Sequence, residues 1–398
     1  MSIIHLSMTR KKRVLFVNGH LQVGGVEKAL VELLSIVDYN NYDVDLLLLE
    51  GCGDYLPEVP PDVYICQRDI RQVEGPFLSV FWRNLVHGRI DNIIYRTLLL
   101  ISKYFGEKLL FFLRWLLPIH NRYDVAIAFR TGHSSQIVAF AVKADIKFLW
   151  WHHGAVPESE GQIEYISRLA SKFNSVITVS TGCKILLEQV FQFSPDIIQV
   201  IPNIINTEKI NRLAQQYDPI IPSGVLKVIT ISRFSSEKHL EDAVEAAALL
   251  LGKLDFMWFI IGDGCEYDHI TELIRLKGLE DVVILPGRLA NPYPYIKNAD
   301  MMVHPSHVES LCIAVLEAMS LEVPCVTVRS IGPESFIENG FNGILVEKGP
   351  EAIVEGILQL ANASQFFIDS LTKNGSLTVE KYFSPSVVWK SFKGLIDN

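Results

Sequence analysis

The chain has 398 residues, 49% of them hydrophobic and 20% charged, enough for two or three domains of ordinary size. A formal net charge of −9 disfavours a general nucleic-acid binder, and 25 glycines with 18 prolines are too few for a collagen-like or low-complexity chain. The cysteines at 52, 66, 183, 265, 312 and 325 form no CxxC pair, which argues against a disulfide framework or zinc site and fits a reducing compartment.

The chain opens with basic residues before an apolar run, as a signal peptide would, but the run is only Val14 to Val17. A secretory core needs roughly 7–15 apolar residues, so the run reads as a first buried strand. Met8 offers an alternative start. No uncharged stretch approaches the roughly 20 residues that span a bilayer, so a soluble or peripheral protein is expected.

Apolar runs at Val14–Val17, Val44–Leu49, Val125–Phe129, Phe148–Trp151 and Val176–Val179 read as strands. A second set covers Lys227–Ile231, Phe256–Ile261, Val282–Leu285, Met301–His304 and Pro324–Val328. Helical patterns lie between them, for example Gly25–Ile36, His239–Leu251 and Tyr267–Lys277. Continuous apolar strands alternating with helices predict an α/β fold with parallel sheets covered on both faces. The boundaries read as a first Rossmann-like domain over 1–202, a linker over 203–222, a second over 223–383 and a terminal helix over 384–398. Such domains bind ligands at the carboxyl ends of their strands, so a cleft between them is the expected site.

Within the first domain, 93–117 is unusual. On one continuous helix Arg96, Lys103, Glu107 and Arg114 would fall within about 40° of each other, with Trp, Phe and Leu elsewhere. Residues 83–122 carry seven basic and two acidic side chains. This suits an anionic membrane surface; the other reading is a pair of buried helices with a solvated charge stripe. Gly106 is where the segment would split.

The chemistry-bearing residues follow strand ends. Gly24 and Gly25 follow the first strand and precede a helix, where backbone N–H groups can face an anion; this spacing is not the dinucleotide GxGxxG. His152 and His153 end the Phe148–Trp151 strand beside Gly154. Arg233 and Lys238 follow the first strand of the second set, as two cations suited to a diphosphate or as two solvated loop charges. Gly262 and Gly264 form a strand-to-helix turn. Glu309 and Glu317 are eight residues apart, about 12 Å along one helix, too far for the roughly 5 Å spacing of a retaining glycosidase pair. Glu309 therefore reads as a loop residue and Glu317 as one in the second helical turn. The N–H groups of Cys312, Ile313 and Ala314 would then face a phosphate. The one DxD, Asp43-Val44-Asp45, lies in a strand and reads as structural, so no essential metal is expected.

Taken together, these residues resemble the retaining glycosyltransferases of family 4, with the two-domain GT-B architecture. The most specific part is NPYPYIKNAD followed by SHVESLCIAVLEAMS, with seven residues between Glu309 and Glu317. ISRFSSEK, IGDG, VSTG, VIPNIIN and GGVEKAL fall in the family's order, and YDVAIAFRTGHSS with KFLWWHHG resembles the subgroup that builds bacterial surface polysaccharides.

The resemblance implies a cytoplasmic hexosyltransferase acting with retention and without a metal or other cofactor. The implied donor is a nucleotide sugar, UDP-linked by the breadth of the family, and the acceptor a glycan or polyprenyl-linked glycan. The enzyme would sit at the inner face of the cell membrane through 93–117. It further implies that Glu309 binds the transferred sugar, Glu317 the ribose, and Arg233 with Lys238 the diphosphate. Gly287 and Arg288 would contact the base, Gly24 and Gly25 would approach the donor, and His153 would be the strand-end histidine, with His152 as fallback. The terminal helix, with Trp389 and Phe392, would cross back onto the first domain. Cys312 and Glu322 depart from the pattern, each standing where glycine is frequent. An inactive nucleotide-sugar-binding subunit is the alternative on the same fold, and a hydrolase or epimerase is a third.

Overall fold

The computed structural model describes residues 10–51, 53–157 and 159–397. Met8, Cys52 and the side chain of Lys103 lie outside that set. Thirteen strands form two parallel sheets among the described residues. The first sheet contains β1 (Lys12–Asn18), β2 (Tyr42–Leu48), β3 (Tyr64–Gln67), β4 (Tyr123–Ala128), β5 (Ala144–Trp151), β6 (Ser175–Thr178) and β7 (Ile198–Val200). Its order is β3-β2-β1-β4-β5-β6-β7. The second contains β8 (Leu226–Ile231), β9 (Phe256–Ile261), β10 (Val283–Gly287), β11 (Met301–His304), β12 (Cys325–Val328) and β13 (Ile344–Val346), in the order β10-β9-β8-β11-β12-β13.

Each sheet reverses its winding once, between β1 and β4 and between β8 and β11. Diverging connections leave a crevice beyond the carboxyl ends there, which is where open α/β sheets bind ligands. The central strands are near-continuous buried runs because helices cover both faces: Val14 to Val17 and Ile260 are at most 1% exposed. This is the GT-B arrangement of two Rossmann-like domains.

The stretch 203–222, expected as a linker, is not a free tether. Asn203, Ile204 and Ile205 are buried, and a helix spans Thr207–Leu213. Lys209 on that helix reaches Glu32 at 2.7 Å and Glu58 at 2.9 Å in the first domain. Buried apolar residues and paired charges, which the Pro- and Asn-rich composition concealed, hold the junction against both sides.

The terminal helix, Pro385–Asp397, packs on the first sheet. Its Phe392 ring lies 6.1 Å from Phe16 and 5.9 Å from Trp150, and Trp389 meets Tyr42 edge-on at 5.8 Å. Lys12 donates to the carbonyl of Ile396 at 3.1 Å, one of the carbonyls left free at a helix end.

The continuous helix considered for 93–117 does not form. A helix covers Ile90–Phe105, Gly106 turns the chain at φ 99°, and a 3₁₀ segment covers Glu107–Leu116. The charge stripe is accordingly dismantled. Arg96 donates to the Gly75 carbonyl at 2.9 Å, Glu107 approaches Arg168 at 3.9 Å, and Arg114 lies over the Phe111 ring. The apolar side chains are only partly buried. Trp82, Val86, Tyr104, Phe105, Phe112 and Trp115 are exposed, Phe105 by 80% and Trp115 by 67%. No helix among the described residues is long and apolar enough to cross a membrane.

Candidate active site

The second domain builds its part of the site at the reversal point. β8 ends at Ile231 and β11 at His304, and the turn after the first and the loop after the second face each other. Two glycines let the turn close. At Gly262 and Gly264, φ is 152° and 156°, and an added Cβ would lie 1.8 Å from the Ser232 carbonyl oxygen or 2.2 Å from that of Phe234. Only glycine fits there. The turn then delivers Lys238, whose Nζ lies 2.7 Å from Glu309 Oε1. From the other side His304 Nε2 reaches the same oxygen at 2.8 Å.

Glu309 is thus a carboxylate withdrawn from water but held by two donors. Burial alone would raise its pKa; the His304 hydrogen bond and charge, with Lys238, reverse this and bring it to about 2. Held by these two donors, it is a carboxylate at neutral pH and presents fixed negative charge. His304 was expected only as the end of a strand. Its signal in sequence was that position, since strand ends in this topology point into the crevice.

Glu317 lies one helix further on. The helix Ile313–Ser320 begins after Cys312, which takes a left-handed conformation at φ 71°. Glu317 is buried, and its Oε1 accepts hydrogen bonds from Lys28 Nζ and, at 3.0 Å, from the Tyr293 hydroxyl. Lys28 also donates to Tyr293. Burial alone would lower the Lys28 pKa, but Glu317 and Tyr293 raise it well above the usual lysine value. Lys28 belongs to the first domain, so this ion pair bridges the cleft. Sequence reading missed Lys28 and Tyr293, although both lie inside the quoted GGVEKAL and NPYPY runs.

The first domain approaches with almost no side chain between the backbones. A Cβ on Gly154 would lie 2.5 Å from the Glu309 carbonyl carbon, and one on Gly182 2.3 Å from the Ile331 carbonyl oxygen. Cys183 Sγ contacts the Ser310 carbonyl oxygen at 3.4 Å. Gly25 faces Ile313 Cδ1, with 3.6 Å left for a Cβ, at the start of the Glu317 helix. Gly24, extended at φ −178°, is the N-cap of the helix Gly25–Ser35.

The two histidines differ. His152 is buried, stacked on Trp150 at an interplanar angle of 6° and 4.7 Å from the Phe129 ring. Burial first, then the charges of His153 and Arg130, lower its pKa to about 3. His153 is more open; its Nε2 lies 3.1 Å from Thr131 Oγ1, and it precedes the glycine that touches Glu309.

Arg233 is not gathered with Lys238. Its guanidinium is 69% exposed and pairs with Glu237 at 3.2 Å, four residues on, so in this structure it shares no carboxylate with the Glu309 cluster. Arg288 likewise reaches across to Asp54 of the first domain at 3.8 Å, next to Gly287 at φ 76°. Asp45 of the DxD is buried and accepts from the Tyr123 hydroxyl at 2.6 Å, a structural role.

Two family descriptions match the chain: "Glycosyltransferase Family 4" over residues 23–209 and "Glycosyl transferases group 1" over 214–371. The N-acetyl-alpha-D-glucosaminyl L-malate synthase of Bacillus anthracis is 34% identical over 122 residues, 31% of this chain and 32% of that protein. The poly(ribitol-phosphate) alpha-N-acetylglucosaminyltransferase of Staphylococcus aureus (strain COL) is 29% identical over 241 residues, 60% of this chain. That match spans 46% of the relative's own length, so the chain covers less than half of either protein. Among solved structures, Anabaena HepE in complex with UDP and glucose superposes with a TM-score of 0.73 at 17% identity, covering 97% of this chain and 100% of that one. Staphylococcus aureus TarM, in a complex that includes UDP, does so with a TM-score of 0.74 at 16% identity, covering 97% and 100%.

Proposed function

The chain belongs to the GT-B glycosyltransferases of family 4, and from that premise we propose that it moves a hexose from a UDP-sugar to a hydroxyl of a glycan or polyprenyl-linked glycan during assembly of a surface polysaccharide. The observation that carries this reading is Glu309: a buried, ionised carboxylate gripped by Lys238 and His304 where the winding of the second sheet reverses, with the Gly154 backbone of the other domain against it. The Staphylococcus aureus relative transfers an N-acetylhexosamine by its name, and the superposing structures hold UDP, which favours the uridine donor.

In this reaction the bond between the sugar's anomeric carbon and the diphosphate oxygen breaks, and the acceptor hydroxyl forms the new bond on the same face. The departing phosphate takes the hydroxyl proton. Negative charge grows on the leaving group, and Lys238, Arg233 and the amides at Cys312, Ile313 and Ala314 stabilise it. Arg233 turns from Glu237 toward the diphosphate when the donor arrives. Glu309 accepts hydroxyls of the transferred sugar and Glu317 those of the ribose, while Gly287 and Arg288 line the base. Gly24 and Gly25 close from the first domain, and His153 approaches the sugar. The close apposition of the domains excludes water, which would otherwise hydrolyse the donor.

The acceptor side of the reading is a peripheral membrane enzyme. Trp82, Phe105, Phe112 and Trp115 stand exposed on the first domain among Arg83, Arg89 and Lys108, the mixture that lies in an anionic lipid interface. Flotation with vesicles containing anionic lipid reads this; Trp115→Glu with Phe112→Glu releases the protein, and no flotation of the wild type at low salt ends the lipid assignment.

Transfer from a radiolabelled donor panel tests the enzyme itself. Glu309→Ala is expected to lower kcat by about 10²–10³, the loss typical of one transition-state-stabilising group. Equal transfer by both proteins removes Glu309 from the mechanism.

A further inference from the structure

The turn that carries Lys238 and the loop that carries Glu309 meet a second time, at His239, Asp242 and His307. His307 Nε2 lies 2.9 Å from Asp242 Oδ2, and the His239 and His307 rings stack with centroids 3.5 Å apart and planes 16° from parallel. One nitrogen or oxygen from each of the three lies within 4.8 Å of the other two. All three residues are partly buried, which leaves a face open to solvent. We propose that His239, Asp242 and His307 form a binding site for a divalent transition cation of the zinc class.

The donor set is the first reason. Two imidazole nitrogens and one carboxylate oxygen are ligands that Zn²⁺, Co²⁺ and Ni²⁺ take, with a remaining position for water. Metal–ligand bonds of about 2.0–2.2 Å put neighbouring donors about 3.3 Å apart in a tetrahedral site. The His307–Asp242 pair already has nearly that separation, and the cation replaces the proton between them.

Preorganisation is the second. The two segments are pinned independently of the cluster, because Ser306 Oγ donates to the Glu237 carbonyl at 3.2 Å. His239 is held at φ 47° and ψ 48°, a left-handed conformation that a residue with a side chain adopts at a cost, and this keeps its ring beside His307. The two rings stack as they stand, so each rotates out of the stack to aim its in-plane lone pair at a shared cation.

Two other groupings fit a cation less well. In His304, Glu309 and Cys312 the carboxylate oxygen is already occupied by the Lys238 ammonium at 2.7 Å. In Glu241, Glu266 and His269 the histidine is exposed and only loosely approaches Glu241 at 3.6 Å.

The test uses the full chain after chelation, titrated with Co²⁺ by visible absorption and with Zn²⁺ by calorimetry. One equivalent is expected to bind saturably, and Zn²⁺ to raise the Tm by several degrees, because a ligand that binds the native state stabilises it. His307→Ala and Asp242→Asn should each weaken binding at least tenfold. His239→Gly removes a ligand while relieving the left-handed strain, so it should lose the Zn²⁺ response yet melt no lower than wild type in chelator. His269→Ala and Cys265→Ser should titrate like wild type. Absence of saturable binding in the wild type overturns the proposal. So does undiminished binding in His307→Ala and His239→Gly, or loss of binding in His269→Ala or Cys265→Ser alone.

Discussion

Lys28 of the first domain donates its ammonium to Glu317 of the second, with the Tyr293 hydroxyl bonded to the same carboxylate oxygen. Under the proposed function Glu317 serves the ribose, so nucleotide and lysine compete for one carboxylate. Removing Lys28 leaves a buried charge unpaired, a loss that in other proteins costs about 3–5 kcal/mol. Lys28→Met is therefore expected to melt earlier than wild type without ligand and to show the larger rise in Tm with UDP. Thermal shift with and without UDP reads both quantities; a smaller UDP response in the variant would instead make Lys28 a ligand of the nucleotide.

Gly154 sets how closely the domains meet. Its missing Cβ is what admits the Glu309 backbone. Gly154→Ala is expected to hold the cleft ajar while each sheet keeps its core. Displacement of about 1 Å at a reacting centre costs about 10²-fold, so kcat should fall by that order with little change in Tm. A wild-type kcat for the variant would show that the contact does not control the chemistry.

His152 makes stability depend on pH. Its native pKa, about 3, lies below the unfolded value, so the unfolded chain takes up the proton first. Stability is then complete above about pH 6.5 and is lost as pH falls from there toward 3, at up to about 1.4 kcal/mol per pH unit. His152→Phe keeps the stacking on Trp150 and should flatten this limb in urea melts between pH 6.5 and 4. Parallel wild-type and variant profiles would contradict the assignment.

Glu322 is exposed and left-handed, at φ 58°. A side chain pays roughly 1–2 kcal/mol for that conformation, against which glycine's greater unfolded-state freedom sets somewhat less. Glu322→Gly is expected to stabilise by about 1 kcal/mol, read as a shift of the denaturation midpoint at constant slope. Cys312, the other departure from the family pattern, is also left-handed. Both residues stand where glycine was expected, and the backbone explains why.

The central strands were legible because strands buried on both faces read as unbroken apolar runs. β3, β7 and β13 were not: all three are short, and polar residues, Gln67 in β3 and Gln199 in β7, fall within two of them. Glu309, Lys238 and Glu317 were singled out by their places after strand ends and by the resemblance to the family, and the structure brings Lys238 to Glu309. Lys28, Tyr293 and His304 were not, because their meaning depends on which surface of one domain faces which surface of the other. Neither hydrophobic period nor motif spacing encodes that apposition. The 93–117 segment was legible in part. Its pattern fits one helix, and Gly106, named as the place where it would split, does redirect the chain; the 3₁₀ form of the second half and the outward-facing aromatic side chains were not readable from the pattern.

The helix Pro385–Asp397 finishes a fold begun hundreds of codons earlier. Phe16 and Trp150 receive their Phe392 neighbour only after the second domain has been synthesised. During translation the earlier sheet therefore waits with this apolar face uncovered until the second domain has emerged.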